Sequence, residues 1–306
     1  MESTIYFNGA FVPESEAKIS PMTHALNYGT GCFEGIRAYY SEEGDSLYIF
    51  RMKEHFERLQ KSGKVLFMDI PHSINELCEI TQKLVQRNFS QQDLYIRPLL
   101  YKADLAVGNF DLRSLKTGFL IYTVPLGRFT SDTNGIRVNT SSWTRVSDNS
   151  IPPRAKVTGA YINTALAKTE SLLAGYDEAL FMDKNGHIVE GSAENIFVVS
   201  DGKILTPPVS DDILQGITRS TVIQLCQAEL KLEVIERSIA RSEIYQADEV
   251  FLVGTGAEVL AIRESDGRNI GNGKTGAITA QIKQLYHDII HGKNSIYADW
   301  LTKVTK

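Results

Sequence analysis

The stretch that decides the fold begins Ile151-Pro-Pro-Arg-Ala-Lys156 and ends Glu190-Gly-Ser-Ala-Glu194-Asn-Ile-Phe197. Its two prolines force an extended, non-helical backbone immediately before the lysine. An Ala- and Leu-rich run over 163–174 then predicts a helix, and an apolar strand follows over 178–182. An Asn-Gly turn leads into a second strand, and this strand is expected to carry both glutamates.

The lysine and the glutamates of this stretch allow two interpretations. A lysine near a strand-borne carboxylate is most often a solvated surface charge. The same residue types also meet the needs of pyridoxal chemistry, in which an amine binds the aldehyde of the cofactor and an anion keeps its ring nitrogen protonated. The rest of the chain decides between these two interpretations.

Length and composition describe an ordinary globular chain. The 306 residues suggest about two domains, and 42% hydrophobic with 23% charged residues allow sizeable cores. The net charge is 32 − 37 = −5 without a basic stripe, which argues against nucleic-acid or anionic-membrane partners. The three cysteines (Cys32, Cys78 and Cys226) form no metal-ligand pattern and no disulfide framework. With no signal peptide and no apolar run near the ~18 residues of a membrane span, we expect a cytoplasmic protein without a metal.

The N-terminal half alternates strands and helices. Asn8-Gly9 between two short apolar runs predicts a β-hairpin, and the Ser73-x-x-Glu76 capping box predicts a helix over about 74–88. Strands are expected over 47–50, 95–101 and 118–124, and a helix over 51–63. A long loop over 102–116 is expected to be functional or to meet a partner.

The polar connection over 125–135 is the expected domain boundary. It gives a small N-terminal domain (1–124), a linker (125–135) and a larger C-terminal domain (136–306). In the second domain, two turns can present backbone N–H groups to an anion, one at 216–218 before a helix over 219–230 and one at 254–258 after a strand. A simple N-cap by Thr218 is the commoner explanation of the first turn. A closing helix over 275–292 is followed by a polar end.

Seven motifs, in this order and spacing, resemble the fold-type IV (class IV) pyridoxal-phosphate aminotransferases, and specifically the branched-chain amino-acid aminotransferases. They are His24-Ala-Leu-Asn-Tyr28-Gly29, Phe33-Glu-Gly35-Ile-Arg37, Tyr95-Ile-Arg97-Pro98, Lys156 with Tyr161, Glu190-Gly-Ser-Ala-Glu194-Asn-Ile-Phe197, Gly216-Ile-Thr218-Arg219 and Gly254-Thr255-Gly256-Ala257-Glu258. The resemblance implies an α/β (α+β) two-domain fold like that of D-amino-acid aminotransferase. It also implies pyridoxal-5′-phosphate-dependent transamination of L-leucine, L-isoleucine or L-valine with 2-oxoglutarate, giving branched 2-oxo acids and L-glutamate.

The resemblance assigns cofactor-binding roles. Lys156 would be the Schiff-base lysine and the base that moves a proton between Cα and C4′. Glu194, rather than Glu190, would pair with the pyridine nitrogen, and Tyr161 would hydrogen-bond the phenolic oxygen of the cofactor. The remaining contacts would come from Arg58, Ile217, Thr218 and Thr255 on the phosphate and from Leu214 on the ring face.

The resemblance also assigns substrate contacts. An apolar box for the substrate side chain would be formed by Tyr28, Phe33, Gly35 and Tyr95. Arg97 with Tyr28 would take the distal carboxylate of 2-oxoglutarate or glutamate, and the backbone of Thr255, Gly256 and Ala257 would hold the α-carboxylate. The Leu105–Gly108 loop would enter the active site of the neighbouring subunit, which implies a homodimer or a larger homo-oligomer.

The linker departs from the family pattern. It reads Pro125-Leu-Gly-Arg128-Phe129 where the family often has Pro-Trp-Gly-x-Tyr. The missing hydroxyl at Phe129 removes a hydrogen bond from the substrate pocket, and Arg128 adds a charge. We therefore expect a substrate range broader than, or shifted from, the branched-chain amino acids.

Several other functions stay open. A D-amino-acid transaminase carries an Arg-x-His carboxylate trap, which Arg97-Pro-Leu99 lacks, whereas (R)-amine activity is not excluded. An aminodeoxychorismate lyase generally lacks the Phe33–Arg37 block in this form. A nucleotide-binding protein would need a Gly-x-Gly-x-x-Gly motif or a Walker lysine, and Gly29-Thr-Gly31 is not followed by the third glycine. Arg37 could order the active site directly or support the residues that form it.

Overall fold

The structure is a computed structural model that describes residues 2–127 and 134–306. The described chain divides into two compact units. Within the described residues, the first comprises 2–127, Ala155–Gly159 and Asp288–Lys306, and the second comprises 134–154 and Ala160–His287.

This division differs from the predicted domains, 1–124 and 136–306, at two segments. The lysine segment Ala155–Gly159 groups with the first unit, because Val157 forms a β-bridge with Cys32. Asp288–Lys306 also groups with the first unit. The predicted linker, 125–135, lies largely on residues outside the described ranges, so the linker stays a prediction.

The strands of the described residues are β1 (Thr4–Phe7), β2 (Ala10–Pro13), β3 (Gly31–Phe33), β4 (Ile36–Ser41), β5 (Ser46–Phe50), β6 (Leu94–Lys102), β7 (Thr117–Pro125), β8 (Ile136–Thr144), β9 (Glu178–Met182), β10 (His187–Gly191), β11 (Asn195–Ser200), β12 (Lys203–Thr206), β13 (Val234–Glu236), β14 (Ile239–Ala240), β15 (Glu249–Gly254), β16 (Glu258–Ser265), β17 (Arg268–Asn269) and β18 (Leu301–Thr305). The α-helices are α1 (His24–Tyr28), α2 (Met52–Val65), α3 (Ile74–Arg87), α4 (Tyr161–Leu173), α5 (Ile217–Ala228), α6 (Arg241–Gln246) and α7 (Ala277–Ile290). Short 3₁₀ turns connect several of these elements.

The first unit is built on an antiparallel sheet with the strand order β18-β5-β4-β6-β7-β1-β2, and β3 pairs with β6. Asn8 and Gly9 turn β1 into β2 with positive φ angles of 46° and 101°, as the Asn-Gly signal predicts. The Ser73 capping box begins α3 as predicted, because the Ser73 side chain accepts from the Glu76 N–H and the Glu76 carboxylate accepts from the Ser73 N–H.

The polar C-terminal end forms a strand that the sequence does not predict. Leu301–Thr305 forms the edge strand β18 and pairs antiparallel with β5 over the whole of its length. Val304 is 6% exposed, so the strand buries an apolar side chain although its sequence is mostly polar. The sequence assigns no element to this end, because the strand is stabilised by long-range pairing, which its short sequence does not reveal.

The second unit is built on a mixed sheet with the order β13-β12-β11-β15-β16-β8-β9-β10-β14, and β10 also pairs with β11. Six strands, β8 to β11 with β15 and β16, are therefore joined in a closed ring. Alternate side chains of these strands, such as Ile188, Ile196 and Leu252, form one core cluster. A second cluster joins Ala167 of α4 to Phe181 of β9 and Val189 of β10.

The predicted helices of this unit lie within two residues of the observed ones. α4 covers Tyr161–Leu173 and α5 begins at Ile217. None of the helices of the described residues is long and apolar enough to cross a membrane.

Candidate active site

The segment with Lys156 lies along β3 in the first unit. The Lys156 N–H donates to the hydroxyl of Ser62 (3.1 Å), and the Lys156 carbonyl accepts from the Phe33 N–H (3.0 Å). The Nζ atom lies 5.0 Å from the centre of the Phe33 ring. Both backbone groups of Lys156 are thus anchored, and its amino group lies beside a residue of the predicted substrate box.

The glycines before β3 allow this close approach. Gly29 has a positive φ of 65°, and a Cβ atom there would lie 2.7 Å from Cα of Gly159. The Gly29 carbonyl accepts from the Gly159 N–H (3.1 Å) and from the Thr158 hydroxyl (2.8 Å). The glycine-rich motif at 29–31 is therefore the surface on which the lysine segment packs.

Arg58 belongs to a buried ionic cluster that the sequence did not predict. Its Nε and Nη2 atoms donate to both oxygens of Glu34 (2.7 and 2.8 Å), and Nδ1 of His55 is hydrogen-bonded to Glu34 (2.8 Å). Burial raises the pKa of Glu34, but Arg58 and His55 outweigh it and lower this pKa to about 2. Burial lowers the pKa of His55. Glu34 is therefore ionised, and its carboxylate fixes the plane of the Arg58 guanidinium.

Phe33, Gly35, Tyr95 and Arg97, all predicted substrate contacts, form one group. The Arg97 guanidinium carbon lies 4.2 Å from the Phe33 ring centre, and Nη2 of Arg97 donates to the Tyr95 hydroxyl (2.8 Å). A Cβ atom at Gly35 would overlap the Tyr95 hydroxyl. Nε of Arg97 is buried without a hydrogen-bond partner in the described part of the chain. The arrangement places a cation at an aromatic, apolar surface.

Tyr28 lies with the 103–116 loop. Its hydroxyl accepts from the Gly108 N–H (3.1 Å), and its ring lies 5.1 Å from that of Phe110. Leu105 and Val107 of this loop are 57% and 73% exposed. An exposed apolar loop of this kind is typical of a surface that contacts another molecule.

Arg37, whose role the sequence leaves open, is buried and joins neighbouring strands of the first unit. It is 1% exposed, and its Nη2 atom donates to Asp93 (2.7 Å) and to the Leu126 carbonyl (3.1 Å). Arg37 therefore ties β4 to the residues that flank β6 and β7.

In the second unit, Glu190 is fully engaged. It forms an ion pair with Arg145 (2.9 Å) and accepts from the Leu214 N–H (2.9 Å) and from the Asn195 side chain (2.9 Å). Glu190 is the next-to-last residue of β10, whereas Glu194 lies in the turn that follows. The Gly191 N–H closes this turn on the Glu194 carbonyl (2.7 Å). The expectation that one strand carries both glutamates is wrong, because the chain reverses between them to form β10 and β11.

Glu194 is buried in a different electrostatic environment. It is 7% exposed, it accepts from the Ala193 N–H (3.0 Å), and within the described ranges no ion pair includes it. Burial, and then the nearby carboxylate of Glu178, raise the pKa of Glu194 to about 8. Glu178 itself is paired with Lys168 (2.5 Å).

Charge pairing therefore distinguishes these acids. Glu178 and Glu190 each have a cation, Lys168 and Arg145. Glu194 has no such counter-ion in residues 2–127 and 134–306. Glu194 is thus the carboxyl group that can accept a cationic hydrogen-bond donor from a ligand.

The turn before α5 offers backbone N–H groups. Gly216 is the N-cap of α5 and provides no side-chain cap, so the alternative that Thr218 is the N-cap is excluded. The Asn195 side chain donates to the Leu214 carbonyl (3.0 Å), and a Cβ atom at Gly216 would overlap it. Ile217 and Thr218 therefore begin a helix whose first N–H groups are available to an anion.

The remaining predicted contacts lie in the second unit or outside the described residues. Thr255, Gly256 and Ala257 form the tight turn between β15 and β16, where Gly254 pairs with Glu258. Tyr161 is the first residue of α4 and is half-buried. Phe129, with Arg128, lies outside the described residues.

Comparisons with known proteins identify the class of this chain. The class IV aminotransferase family matches residues 31–265. The chain therefore belongs to the class IV aminotransferases, and its fold is the one found in this family.

Similar proteins point to one branch of this class. The chain is 50% identical over 299 residues to a probable branched-chain-amino-acid aminotransferase of Aquifex aeolicus, with 98% of this chain and 96% of the relative covered. It is 38% identical over 305 residues to the branched-chain-amino-acid aminotransferase of Escherichia coli K12, with coverage of 99% and 97%. The crystal structure of the branched-chain aminotransferase of Thermoproteus uzoniensis with norvaline has a TM-score of 0.94 at 41% identity, and 99% of each chain is covered.

Proposed function

We propose that this protein is a branched-chain-amino-acid aminotransferase that uses pyridoxal 5′-phosphate. It exchanges the amino group between L-leucine, L-isoleucine or L-valine and 2-oxoglutarate. The names of its full-length relatives support this proposal. Two solved relatives were crystallised with the two forms of such a cofactor, the pyridoxamine form and the pyridoxal form. The buried Glu194, with its raised pKa and no paired cation in the described residues, is the structural observation that carries it.

The residues of the second unit fit this cofactor. A protonated pyridine nitrogen is the cation that Glu194 lacks. The N–H groups of Ile217 and Thr218 suit a phosphate at the start of α5, and we assign Thr255, in the β15–β16 turn, a further phosphate contact. Leu214 would lie on the ring face, and Tyr161 would hydrogen-bond the phenolic oxygen. When bound, the cofactor supplies the electron sink for the loss of the α-proton of the substrate.

Lys156 and Arg58, in the first unit, are also assigned to the cofactor in this proposal. We assign Lys156 to hold the aldehyde carbon and to move the proton between Cα of the substrate and C4′. Its anchored backbone supports this role, because a fixed base needs little reorganisation. Arg58 would contact the phosphate, and its bidentate pairing with Glu34 would fix its orientation.

Substrate selection follows from the group around Arg97. Phe33, Gly35 and Tyr95 would line an apolar box for a branched side chain. Arg97, at the edge of these aromatic rings, would bind the distal carboxylate of 2-oxoglutarate. The backbone of Gly256 and Ala257 would hold the α-carboxylate, and Tyr28 would line the box from α1.

We further propose a homo-oligomer in which the Leu105–Gly108 loop reaches the active site of a neighbouring subunit. The exposure of Leu105 and Val107 supports this arrangement. A cytoplasmic location is also proposed, since Cys32, Cys78 and Cys226 are all free thiols.

The test is a substrate panel with the purified, cofactor-saturated protein. We expect L-glutamate to form from 2-oxoglutarate with L-leucine, L-isoleucine and L-valine. D-Alanine and (R)-1-phenylethylamine are expected to give little product. Turnover of either of these compounds above that of L-leucine would replace the proposed activity by that of a D-amino-acid or (R)-amine transaminase, and pyruvate release from aminodeoxychorismate would replace it by a lyase.

A further inference from the structure

The 103–116 loop is held by two completely buried polar side chains that the proposed chemistry does not use. These side chains are His24, at the start of α1, and Lys102, at the end of β6, and both are 0% exposed. Each side chain donates one hydrogen bond to a backbone carbonyl of the loop. Burying a polar group costs free energy unless the group is hydrogen-bonded. That both side chains are hydrogen-bonded to the same exposed loop therefore calls for an explanation.

His24 connects three segments of the first unit. Its Nε2 atom is hydrogen-bonded to the Asn109 carbonyl (2.9 Å), and its Nδ1 atom to the Thr30 hydroxyl (2.8 Å). A carbonyl only accepts, so Nε2 carries a proton. The His24 N–H also donates to the Asp104 carbonyl (2.9 Å). His24 thus holds the loop at Asp104 and at Asn109, on both sides of the exposed Leu105 and Val107.

Lys102 holds the other end of the loop. Its ammonium group donates to the Leu115 carbonyl (3.2 Å) and to the Phe67 carbonyl (2.7 Å). Burial lowers the pKa of Lys102, and the carboxylates of Asp104 and Asp69 oppose this effect. The loop is closed on itself by the Ala103 N–H, which donates to the Lys116 carbonyl (2.9 Å).

The same loop contacts Tyr28, four residues after His24. The Tyr28 hydroxyl accepts from the Gly108 N–H (3.1 Å), and the rings of His24 and Tyr28 lie 4.6 Å apart. Movement of the loop therefore also moves a residue that we assign to the substrate box.

We propose that His24 and Lys102 are positioning residues that fix the 103–116 loop and thereby set substrate affinity. They act through the loop and Tyr28 rather than by contact with the reacting atoms. The loop would be fixed in this way before it meets the second copy of the chain. This inference rests on the proposed function, because it takes that loop and Tyr28 as parts of the substrate site.

Two substitutions of His24 separate its contacts. His24→Gln can place an amide N–H near the position of Nε2 and keep the hydrogen bond to the Asn109 carbonyl. His24→Asn places its amide near the position of Nδ1 and therefore loses the hydrogen bond to Asn109. Lys102→Met removes the donors to Leu115 and Phe67 at similar volume. Thr206→Val is the matched control, because the buried Thr206 hydroxyl donates to a backbone carbonyl, that of Ile196 (2.8 Å), in the second unit.

The measurements use the full-length, cofactor-saturated protein. Hydrogen exchange of the 103–116 amides is expected to rise about fivefold or more in His24→Asn and Lys102→Met, the factor for one lost buried hydrogen bond. KM for L-leucine and 2-oxoglutarate should rise by a similar factor, with a smaller change in kcat. His24→Gln should restore both values, and Thr206→Val should change neither.

Unchanged loop exchange in both His24→Asn and Lys102→Met overturns the proposal, as does faster exchange with an unchanged KM. If His24→Asn does not fold, Lys102→Met carries the test with Thr206→Val as its control, because it removes the other buried side chain that holds the loop. Hydrogen exchange does not depend on the substrate. The wild type could therefore lack branched-chain transaminase activity while the variants still show the expected rise in loop exchange. That result would contradict the proposed function and the role in substrate affinity, and would still support the role of His24 and Lys102 in fixing the loop.

Discussion

At the scale of residues, Glu190 and Glu194 show how burial and pairing give one residue type two roles. Glu190 receives three partners, including the Arg145 guanidinium, and is therefore a stable structural anion. Glu194 receives one backbone N–H and has a raised pKa. A buried acid that is ready to ionise when a cation arrives is typical of a functional site rather than of a stabilising ion pair.

The raised pKa of Glu194 predicts a pH-dependent stability of the cofactor-free protein. The folded-state pKa is about 8, above the ordinary value of 4.5, so its stabilising contribution is complete below pH 4.5 and is lost as the pH rises through 8. Between pH 6 and 8, the wild type should lose up to about 1 kcal/mol of unfolding free energy per pH unit more than Glu194→Gln. Urea denaturation at both pH values measures this difference, and parallel pH profiles would refute the assignment.

Gly35 is expected to be intolerant of a side chain. A methyl group in Gly35→Ala would overlap the Tyr95 hydroxyl and displace it from Arg97. KM for 2-oxoglutarate should rise about tenfold, more than KM for L-leucine, because Arg97 is assigned to the distal carboxylate. Steady-state kinetics test this prediction. Tyr95→Phe removes the same hydrogen bond without the overlap and should reproduce the pattern; equal effects on both substrates would argue against the role of Arg97.

Some of these residues could be proposed from the sequence, and others only from the structure. Lys156 and Glu194 follow from the order of seven motifs, although the residues alone left Glu190 open. The structural reason for choosing Glu194 depends on Arg145, forty-five residues before Glu190 in the chain. The Glu34–Arg58 pair was likewise hidden, because nothing local links two residues of different elements.

At the scale of elements, the start of α5 depends on a neighbouring strand. Asn195 of β11 bridges Glu190 and the Leu214 carbonyl, and it thereby holds the segment that precedes Ile217. The proposed phosphate site is therefore rigid because of a side chain that does not itself bind phosphate.

Removal of this bridge should weaken cofactor binding. Asn195→Ala loses two hydrogen bonds, and we expect the Kd for pyridoxal 5′-phosphate to rise about tenfold or more. Equilibrium dialysis measures the Kd. The buried Thr206→Val variant, which loses a hydrogen bond elsewhere in the same unit, is the control. An unchanged Kd in Asn195→Ala would mean that the turn keeps its shape without the bridge.

Elements with strong local signals were predicted correctly from the sequence, and those that depend on distant partners were not. The Asn8-Gly9 hairpin and the Ser73 capping box carry their own turn and cap chemistry. β18 carries no such signal, since its five residues are ordered by pairing with β5. The turn between β10 and β11 was predicted as part of one continuous strand, although the chain reverses there to form two strands.

At the scale of the whole molecule, the proposed oligomer requires each active site to use residues of two subunits. Lys156→Ala should be inactive through loss of the lysine. Val107→Glu should be nearly inactive, because it places a charge on an exposed loop residue (73% exposed). Co-refolding equal amounts of the two variants should restore about a quarter of the wild-type activity, because half of the dimers are mixed and each mixed dimer has one intact site.

This complementation has a clear contrary result. If each subunit supplies its own loop, the mixture retains only the sum of the two residual activities. Full activity of the Val107→Glu protein on its own would refute the proposal that the loop contributes to an active site.

The most direct measurement is the visible absorbance of the purified protein, saturated with pyridoxal 5′-phosphate and freed of excess, before and after addition of L-leucine. We expect an absorption band of lysine-bound cofactor that L-leucine removes and 2-oxoglutarate restores, and no such band in Lys156→Ala. A band that survives in Lys156→Ala would contradict the assignment of Lys156 to the cofactor, and one that L-leucine does not change would contradict branched-chain transamination.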